Sequence, residues 1–371
     1  MSTSPKSPAL AALHQHGQSP WLDFIHRQLI QSGELSQWIA QGVRGLTSNP
    51  AIFDKALASG SYDIAVAQAM AEGLDSQRIY EQLAIEDIRA AADAFLPLHQ
   101  ASAGEDGWVS LEVSPLLAHD STSTVVEARR LWQAVDRPNL MIKVPGTPAG
   151  LQALRQLISD GISVNVTLLF SVDAYVEVVE AWMQGLEARA RSGASLAGVA
   201  SVASFFISRI DAVVDAALAN TSLSSLAGKV AMANAALAYA HLQQLLSGTR
   251  WQRLQQQGAS VQRLLWASTG TKNPAYAETR YVEGLIAAHT VNTMPPATLQ
   301  AFVREGRVAP GRSGFIGVLH SLPDAEAILR QLPAQGIDLQ AITTRLQQEG
   351  IAQFEQSFAA LLARIESRRA A

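Results

Sequence analysis

Short apolar runs alternate along the chain with longer segments in which apolar residues recur at helical spacing. This alternation is typical of βα units, in which helices join parallel strands. Eight runs have the length of a strand, and they lie near Trp21–Ile25, Gly42–Leu46, Trp108–Val113, Leu140–Val144, Ser163–Leu168, Val199–Phe205, Arg263–Ala267 and His289–Thr293. Eight such units predict an α/β protein, a (β/α)8 TIM barrel with additional helices, and favour it over an open Rossmann sheet.

Two segments have clear amphipathic helix patterns. One begins after Ser171, a residue suited to cap a helix N-terminus, and places apolar side chains on one stripe between Val172 and Leu186. The other lies beyond the last candidate strand and has Phe354, Phe358, Leu361, Leu362 and Ile365 at helical spacing. We therefore expect a single barrel domain over residues 19–371 that ends in a C-terminal helical extension.

The first 18 residues differ from this pattern. They are rich in Ser, Pro, His and Gln and lack the apolar stretch of a secretory signal, so we expect a flexible leader over residues 1–18. No apolar run approaches the roughly 18 residues that a membrane span needs, so we expect no membrane association. The chain has no cysteine, which excludes disulfides and thiolate metal sites and fits a cytoplasmic protein.

Charge and motifs narrow the class of ligand. The formal net charge is −4 and both signs are dispersed without a basic stripe, which argues against nucleic-acid binding and favours a small-molecule substrate. The chain has no GxGxxG after a strand, no GxxxxGK(S/T) and no HExxH, so the common nucleotide and zinc motifs are missing. We expect the protein to be a monomer or homodimer.

Polar residues recur where seven of the candidate strands end. In a barrel, working residues lie at these carboxyl ends, and polar groups at seven of them indicate a site. The residues in question are Asp23, Thr47, Ser48, Asn49, Glu112, Lys143, Asn165, Thr167, Ser204, Arg209 and Ser268.

Lys143 is the most informative of these residues because its neighbours Leu140, Met141, Ile142 and Val144 predict a buried strand. Burial disfavours the ammonium form and yields the free amine that attacks a carbonyl. A lysine paired with a carboxylate, or one that reaches the barrel rim, explains the pattern equally well. Glu112 has the matching interpretations: a carboxyl that moves protons through a water, or the ion-pair partner of Lys143.

The other candidates also have two interpretations each. Asp23 is either a second acid/base or a helix N-cap, and from sequence alone the cap is favoured. Asn49, Asn165 and Ser204 either bind substrate hydroxyls or serve in turns. Arg209 and Lys272 are either phosphate contacts or solvated surface cations.

Six motifs in order resemble those of the transaldolase family: GLTSNPAIF, LEVSPLLAHD, IKVPGTPAG, NVTLLFS, SFFISRID and LWASTGTKNP. The resemblance runs from about Trp21 to about Pro296 and is closest to a longer bacterial branch of the family. It implies a permuted (β/α)8 barrel that needs no metal or organic cofactor.

The resemblance also implies roles for individual residues. Lys143 would form the imine, Glu112 and Thr167 would handle the catalytic water, and Asp23 would move the substrate hydroxyl proton. Asn49, Asn165 and Ser204 would hold the dihydroxyacetone unit, and Arg209 and Ser268 the phosphate. Where many relatives have Ser-Phe-Arg, this chain has Ser268 followed by Thr-Gly-Thr-Lys, so whether Lys272 replaces the second cation stays open.

The implied activity is transfer of a dihydroxyacetone unit in the pentose phosphate pathway. The donor would be sedoheptulose 7-phosphate or fructose 6-phosphate, and the acceptor glyceraldehyde 3-phosphate or erythrose 4-phosphate. One alternative is a fructose-6-phosphate-type aldolase that releases free dihydroxyacetone, but those enzymes have Gln and Tyr where this chain has Glu112 and Phe206. A second is a non-catalytic barrel that only binds sugar phosphates, which would not need a buried lysine.

Overall fold

The computed structural model describes residues 6–308 and 322–368 and contains a closed barrel of eight parallel strands that follow one another in chain order. The strands are β1 Gln18–Asp23, β2 Gly45–Thr47, β3 Trp108–Glu112, β4 Leu140–Pro145, β5 Val164–Leu169, β6 Ser201–Phe206, β7 Arg263–Ala267 and β8 Thr290–Met294. All eight predicted strands are confirmed. β1 begins three residues before its predicted start, and β2 keeps only the last part of its predicted run and ends one residue later.

Helices surround this barrel and cross its carboxyl end. They are α1 Pro8–Gln15, α2 Arg27–Gln31, α3 Glu34–Gln41, α4 Pro50–Ala58, α5 Asp63–Ala71, α6 Ser76–Ala101, α7 Ser121–Val135, α8 Pro148–Asp160, α9 Val172–Arg191, α10 Ser208–Leu218, α11 Val230–Ser247, α12 Thr249–Gln256, α13 Arg280–Glu283, α14 Pro296–Glu305, α15 Leu322–Gln331 and α16 Leu339–Ser367. The predicted TIM barrel with additional helices is therefore confirmed, including the C-terminal ones.

Both amphipathic segments are helices. Ser171 caps α9 and accepts a hydrogen bond from the Ala174 amide at 3.1 Å, as its sequence position predicted. The apolar stripe of α16 is also present, since Phe354, Phe358, Leu361 and Ile365 are buried. Apolar spacing was therefore a sound guide to both helices, because burial of one face is what stabilises a helix in a protein.

The prediction of a flexible leader over residues 1–18 is wrong for its later part, because Pro8–Gln15 form α1 and Gln18 begins β1. The Ser7 hydroxyl caps α1, and a proline at the first helical position is preorganised for a helix. Leu10 and Leu13 are fully buried. Composition indicated a leader because the polar residues outnumber these two leucines, yet their burial holds the helix in place.

A cluster of buried polar side chains closes the amino end of the barrel. Asp106, which has no solvent exposure, accepts hydrogen bonds from the Ser19 hydroxyl at 2.6 Å and from Arg263 at 3.3 Å. Trp21 fills the next layer, where a Cβ on Gly45 would lie 2.4 Å from the indole, so only glycine fits there. The opposite, carboxyl end of the barrel contains a cavity. No helix among the described residues is both long and apolar enough to span a bilayer.

Candidate active site

Lys143 and Glu112 form a buried pair at the carboxyl end of the barrel. They are register neighbours on β4 and β3, so their side chains lie on the same face of the sheet. The Lys143 Nζ donates to Glu112 Oε2 at 3.1 Å and to the Ser48 carbonyl at 3.2 Å. Only 4% of Lys143 and 8% of Glu112 are exposed, so the lysine does not reach the rim. The ion-pair interpretation therefore describes this resting state, and it places a proton acceptor beside the amine.

Burial governs both carboxyl groups near this amine. It raises the pKa of Glu112, against the opposing charge of Lys143. It also raises the pKa of Asp23, against the charge of Lys143 and the hydrogen bond that Thr47 donates at 2.7 Å. Asp23 ends β1 and does not cap a helix, since His26 caps α2, so the favoured N-cap interpretation is wrong. Two carboxyls with raised pKa values near one amine suit proton transfer at neutral pH.

Thr167 on β5 adds a hydroxyl to this group. It faces the same cavity as Lys143, and its buried Oγ1 has no hydrogen-bond partner among the described residues. A buried hydroxyl without a partner costs free energy, so it marks a position where a ligand or a water is expected to bind.

Asn165 and Ser204 form a buried hydrogen-bond chain across three strands. The Ser204 hydroxyl donates to Asn165 Oδ1 at 2.7 Å, and Asn165 Nδ2 donates to the Ser110 hydroxyl at 3.1 Å. Ser204 lines the cavity, whereas Asn165 lies behind its wall. Asn165 therefore orients the Ser204 hydroxyl in this state.

Asn49 fits both of its predicted interpretations, a residue that serves in a turn and one that binds a substrate. Its Oδ1 caps α4 by accepting from the Ile52 amide at 3.0 Å, which is ordinary turn chemistry. The residue also lines the cavity. Because the cap occupies the oxygen, the amide hydrogens are the part of Asn49 that remains for a ligand.

The cavity at the carboxyl end has a volume of about 470 Å³. Most of the residues singled out in the sequence line it, whereas Ser48, Glu112 and Asn165 do not. The lining residues are Asp23, Thr47, Asn49, Lys143, Thr167, Ser204, Phe206, Arg209, Ser268 and Lys272.

Arg209 and Lys272 give this cavity a cationic side. Burial lowers the pKa of Arg209, and burial together with the charges of Arg209 and Lys55 lowers the pKa of Lys272. The Arg209 guanidinium lies 5.5 Å from the Phe206 ring and donates to Gln353 at 2.9 Å. Neither cation pairs with a carboxylate among the described residues within 4 Å. An anionic group of a ligand would relieve their mutual repulsion.

Ser268 lies beside these cations in a strained conformation. Its φ of +56° is in the left-handed region that favours glycine. The Ser208 amide donates to the Ser268 carbonyl at 3.1 Å, and the two hydroxyls lie 3.0 Å apart. Strain held by such contacts is common where a side chain must be aimed into a site.

The C-terminal helix α16 crosses the mouth of the barrel, which the sequence did not predict. Gln347 donates to the carbonyls of Gly146 and Leu168 at 3.0 and 3.2 Å. Gly350 permits this close approach, since a Cβ there would lie 2.8 Å from a Leu168 methyl. The helix thereby brings Gln353 to Arg209 and Phe354 to the cavity.

The site residues that the sequence did not indicate include Gln353, Phe354 and Lys55. A possible signal for the first two was the Gly350 within an otherwise regular amphipathic pattern, which indicates close contact with another element. Lys55 offered the weaker signal of a cation six residues beyond the cap residue Asn49.

Known proteins place this chain in one family. The model of the transaldolase/fructose-6-phosphate aldolase family matches residues 20–365. A protein named transaldolase from Thiobacillus denitrificans is 48% identical over 94% of this chain and 97% of its own length. One with the same name from Neisseria gonorrhoeae is 47% identical over 94% and 96%, and a transaldolase 2 from Nostoc sp. is 44% identical over 97% of both chains. The chain belongs to the transaldolase/fructose-6-phosphate aldolase family.

Proposed function

We propose that this protein is a cytoplasmic transaldolase that transfers a dihydroxyacetone unit between sugar phosphates through a Schiff base on Lys143. The observation that carries the proposal is the buried amine of Lys143, 3.1 Å from the Glu112 carboxyl, in a cavity that also contains Arg209 and Lys272. An amine beside an acid/base group performs imine chemistry, and the cations account for a phosphorylated substrate.

The first step is imine formation. Glu112 accepts a proton from the Lys143 ammonium, and the free amine attacks the C2 ketone of the donor to give a carbinolamine. Glu112 then returns the proton through a water held by the Thr167 hydroxyl, so that the carbinolamine hydroxyl leaves as water and an iminium remains. The raised pKa of Glu112 suits it to this alternation between acid and base.

The second step is cleavage of the carbon chain. Asp23 removes the proton from the C4 hydroxyl, the C3–C4 bond breaks, and its electron pair moves into the iminium to form an enamine. The aldose phosphate leaves, and the enamine attacks the aldehyde of an acceptor. Asp23 then gives its proton to the new C4 alkoxide, and the imine is hydrolysed by the reverse of the first step.

The dihydroxyacetone unit and the phosphate bind at different parts of the cavity. Asn49 and Ser204 supply neutral hydrogen-bond groups to the hydroxyls near Lys143. Arg209, Lys272 and Ser268 supply charge and hydrogen bonds to the phosphate, for which the planar fork of arginine is well suited. The substrates we propose are sedoheptulose 7-phosphate or fructose 6-phosphate as donor, and glyceraldehyde 3-phosphate or erythrose 4-phosphate as acceptor, as in the pentose phosphate pathway.

Transfer is favoured over release of free dihydroxyacetone by Glu112 and Phe206. Phe206 is buried, lines the cavity and packs against Phe170 at 5.1 Å between ring centroids. A phenyl ring there has no hydroxyl with which to hold a water near the enamine, so the enamine survives until an acceptor arrives.

A coupled assay tests this function. With fructose 6-phosphate alone the protein is expected to release little glyceraldehyde 3-phosphate, and erythrose 4-phosphate should start continuous release. Continuous release without an acceptor, together with free dihydroxyacetone, would instead identify an aldolase. Binding of the substrates without any turnover would identify a sugar-phosphate-binding barrel.

A further inference from the structure

Helix α4 turns one face toward the cavity, and Lys55 lies on that face. Ala51, Ile52 and Lys55 all line the cavity. The spacing of three and four residues places them on the same side of a helix. The position of Lys55 is therefore set by the same geometry that directs Ile52 inward, although its side chain lies at the exposed mouth.

Lys55 has no carboxylate partner among the described residues. Its neighbour Asp54 accepts from Arg364 of α16 at 2.9 Å and is thereby committed to another cation. The Lys55 charge instead acts on Lys272 and, together with Arg209, lowers the pKa of Lys272.

Three cations from separate parts of the chain thus line one cavity. The charges of Asp23 and Glu349 act on Lys272 and Arg209, but none of the three cations forms an ion pair within 4 Å among the described residues. A ligand anion at this place would relieve their repulsion.

The three cations differ in exposure. Arg209 is half-buried and packs on Phe206, whereas Lys55 and Lys272 are exposed. Lys55 therefore lies nearer the mouth of the cavity than Arg209 does.

This arrangement suits substrates of two lengths. Because C2 of every donor is fixed on Lys143, the phosphate of a seven-carbon ketose lies one carbon–carbon bond farther out than that of a six-carbon ketose. We propose that Lys55 is a phosphate-binding residue that receives the phosphate of the longer substrates and so sets the preference for chain length. The proposal rests on the function proposed above.

Replacement of Lys55 by methionine tests the proposal, because methionine keeps a similar volume and removes the charge. We expect kcat/KM to fall roughly 10-fold for sedoheptulose 7-phosphate, mainly through KM, since a charge-assisted contact to phosphate is lost. The loss for fructose 6-phosphate should be about threefold or less. Lys55→Arg should restore the preference, and Lys6→Met, at an exposed lysine before α1, is the matched control.

Two results would overturn the proposal. One is an equal loss for the six- and seven-carbon donors, and the other is no loss for either. Borohydride trapping with the same donors separates these results from failure of the proposed function. If the wild-type protein traps an imine and turns over while Lys55→Met keeps the wild-type preference, only the role of Lys55 is wrong. If the wild-type protein traps no imine, the proposed function is wrong.

Discussion

The aromatic ring of Phe354 faces the amine of Lys143, with 5.6 Å between the ring centroid and Nζ. The two residues belong to α16 and β4, so the C-terminal helix completes a site that the barrel strands begin. A ring at this distance attracts a cation by its π face, and the iminium of the proposed mechanism is a cation at that nitrogen.

Phe354→Leu should therefore make the iminium less stable. Loss of a desolvated cation–π contact is worth about 1–2 kcal/mol, which corresponds to a roughly 5- to 30-fold lower kcat. The fraction of protein trapped by borohydride at saturating donor should fall as well. The measurement is steady-state kcat together with the mass of the trapped protein.

Phe358→Leu is the matched control, because Phe358 is one helical turn away and packs on Tyr80 at 5.5 Å. It removes a similar ring from the same helix and should leave the trapped fraction unchanged. Equal effects of the two substitutions would show that Phe354 only anchors α16.

The two carboxylates should serve different steps. Glu112→Gln should slow imine formation and hydrolysis, because the amide cannot take the proton of Lys143 at 3.1 Å. Asp23→Asn should still form imine but fail to cleave the carbon chain. Each loss should be about 10²- to 10⁴-fold, the usual range for a positioned acid or base. Separate trapping and product-release measurements distinguish the steps, and normal cleavage by Asp23→Asn would disprove its assignment.

Thr167→Val should separate catalysis from stability. The Thr167 hydroxyl is buried without a partner among the described residues, so its removal should leave the free energy of unfolding unchanged or slightly raised. Imine formation should nevertheless slow about 10-fold or more if this hydroxyl holds the catalytic water. Urea unfolding and trapping rates check the two parts. A destabilised variant with a normal trapping rate would contradict both expectations.

The sequence predicted the barrel well because apolar run length and spacing report directly on burial. It also predicted the residues at the strand ends, since a closed parallel barrel brings those ends together. It did not predict that α16 crosses the site, because an amphipathic pattern shows that a face is buried and not which surface buries it. Asp23 was misjudged for a related reason: its burial and its bond to Thr47 depend on β2, which is distant in sequence.

Asp211 should make stability depend on pH. Burial raises its pKa to about 6, against hydrogen bonds from the Ala231 amide and the Tyr281 hydroxyl. The native state therefore holds the proton more tightly than the unfolded state, whose pKa is near 3.8. The contribution of Asp211 to the free energy of unfolding is therefore complete below pH 3.8 and is lost as the pH rises through about 6.

Asp211→Asn removes this titration because an amide is neutral throughout. The free energy of unfolding of the wild type, relative to that of the variant, should fall by about 2 kcal/mol between pH 4 and pH 7 and stay level above that range. Urea unfolding at several pH values gives both curves. Parallel curves would mean that Asp211 does not titrate in this range.

The most direct test of the account is the site of imine formation. The chain has five lysines, Lys6, Lys55, Lys143, Lys229 and Lys272, so a peptide map can distinguish them all. Borohydride with fructose 6-phosphate should add one reduced dihydroxyacetone unit to Lys143, and Lys143→Met should remain folded, take up no label and lose transfer activity. Label on another lysine, or active transfer by Lys143→Met, would contradict the proposed mechanism.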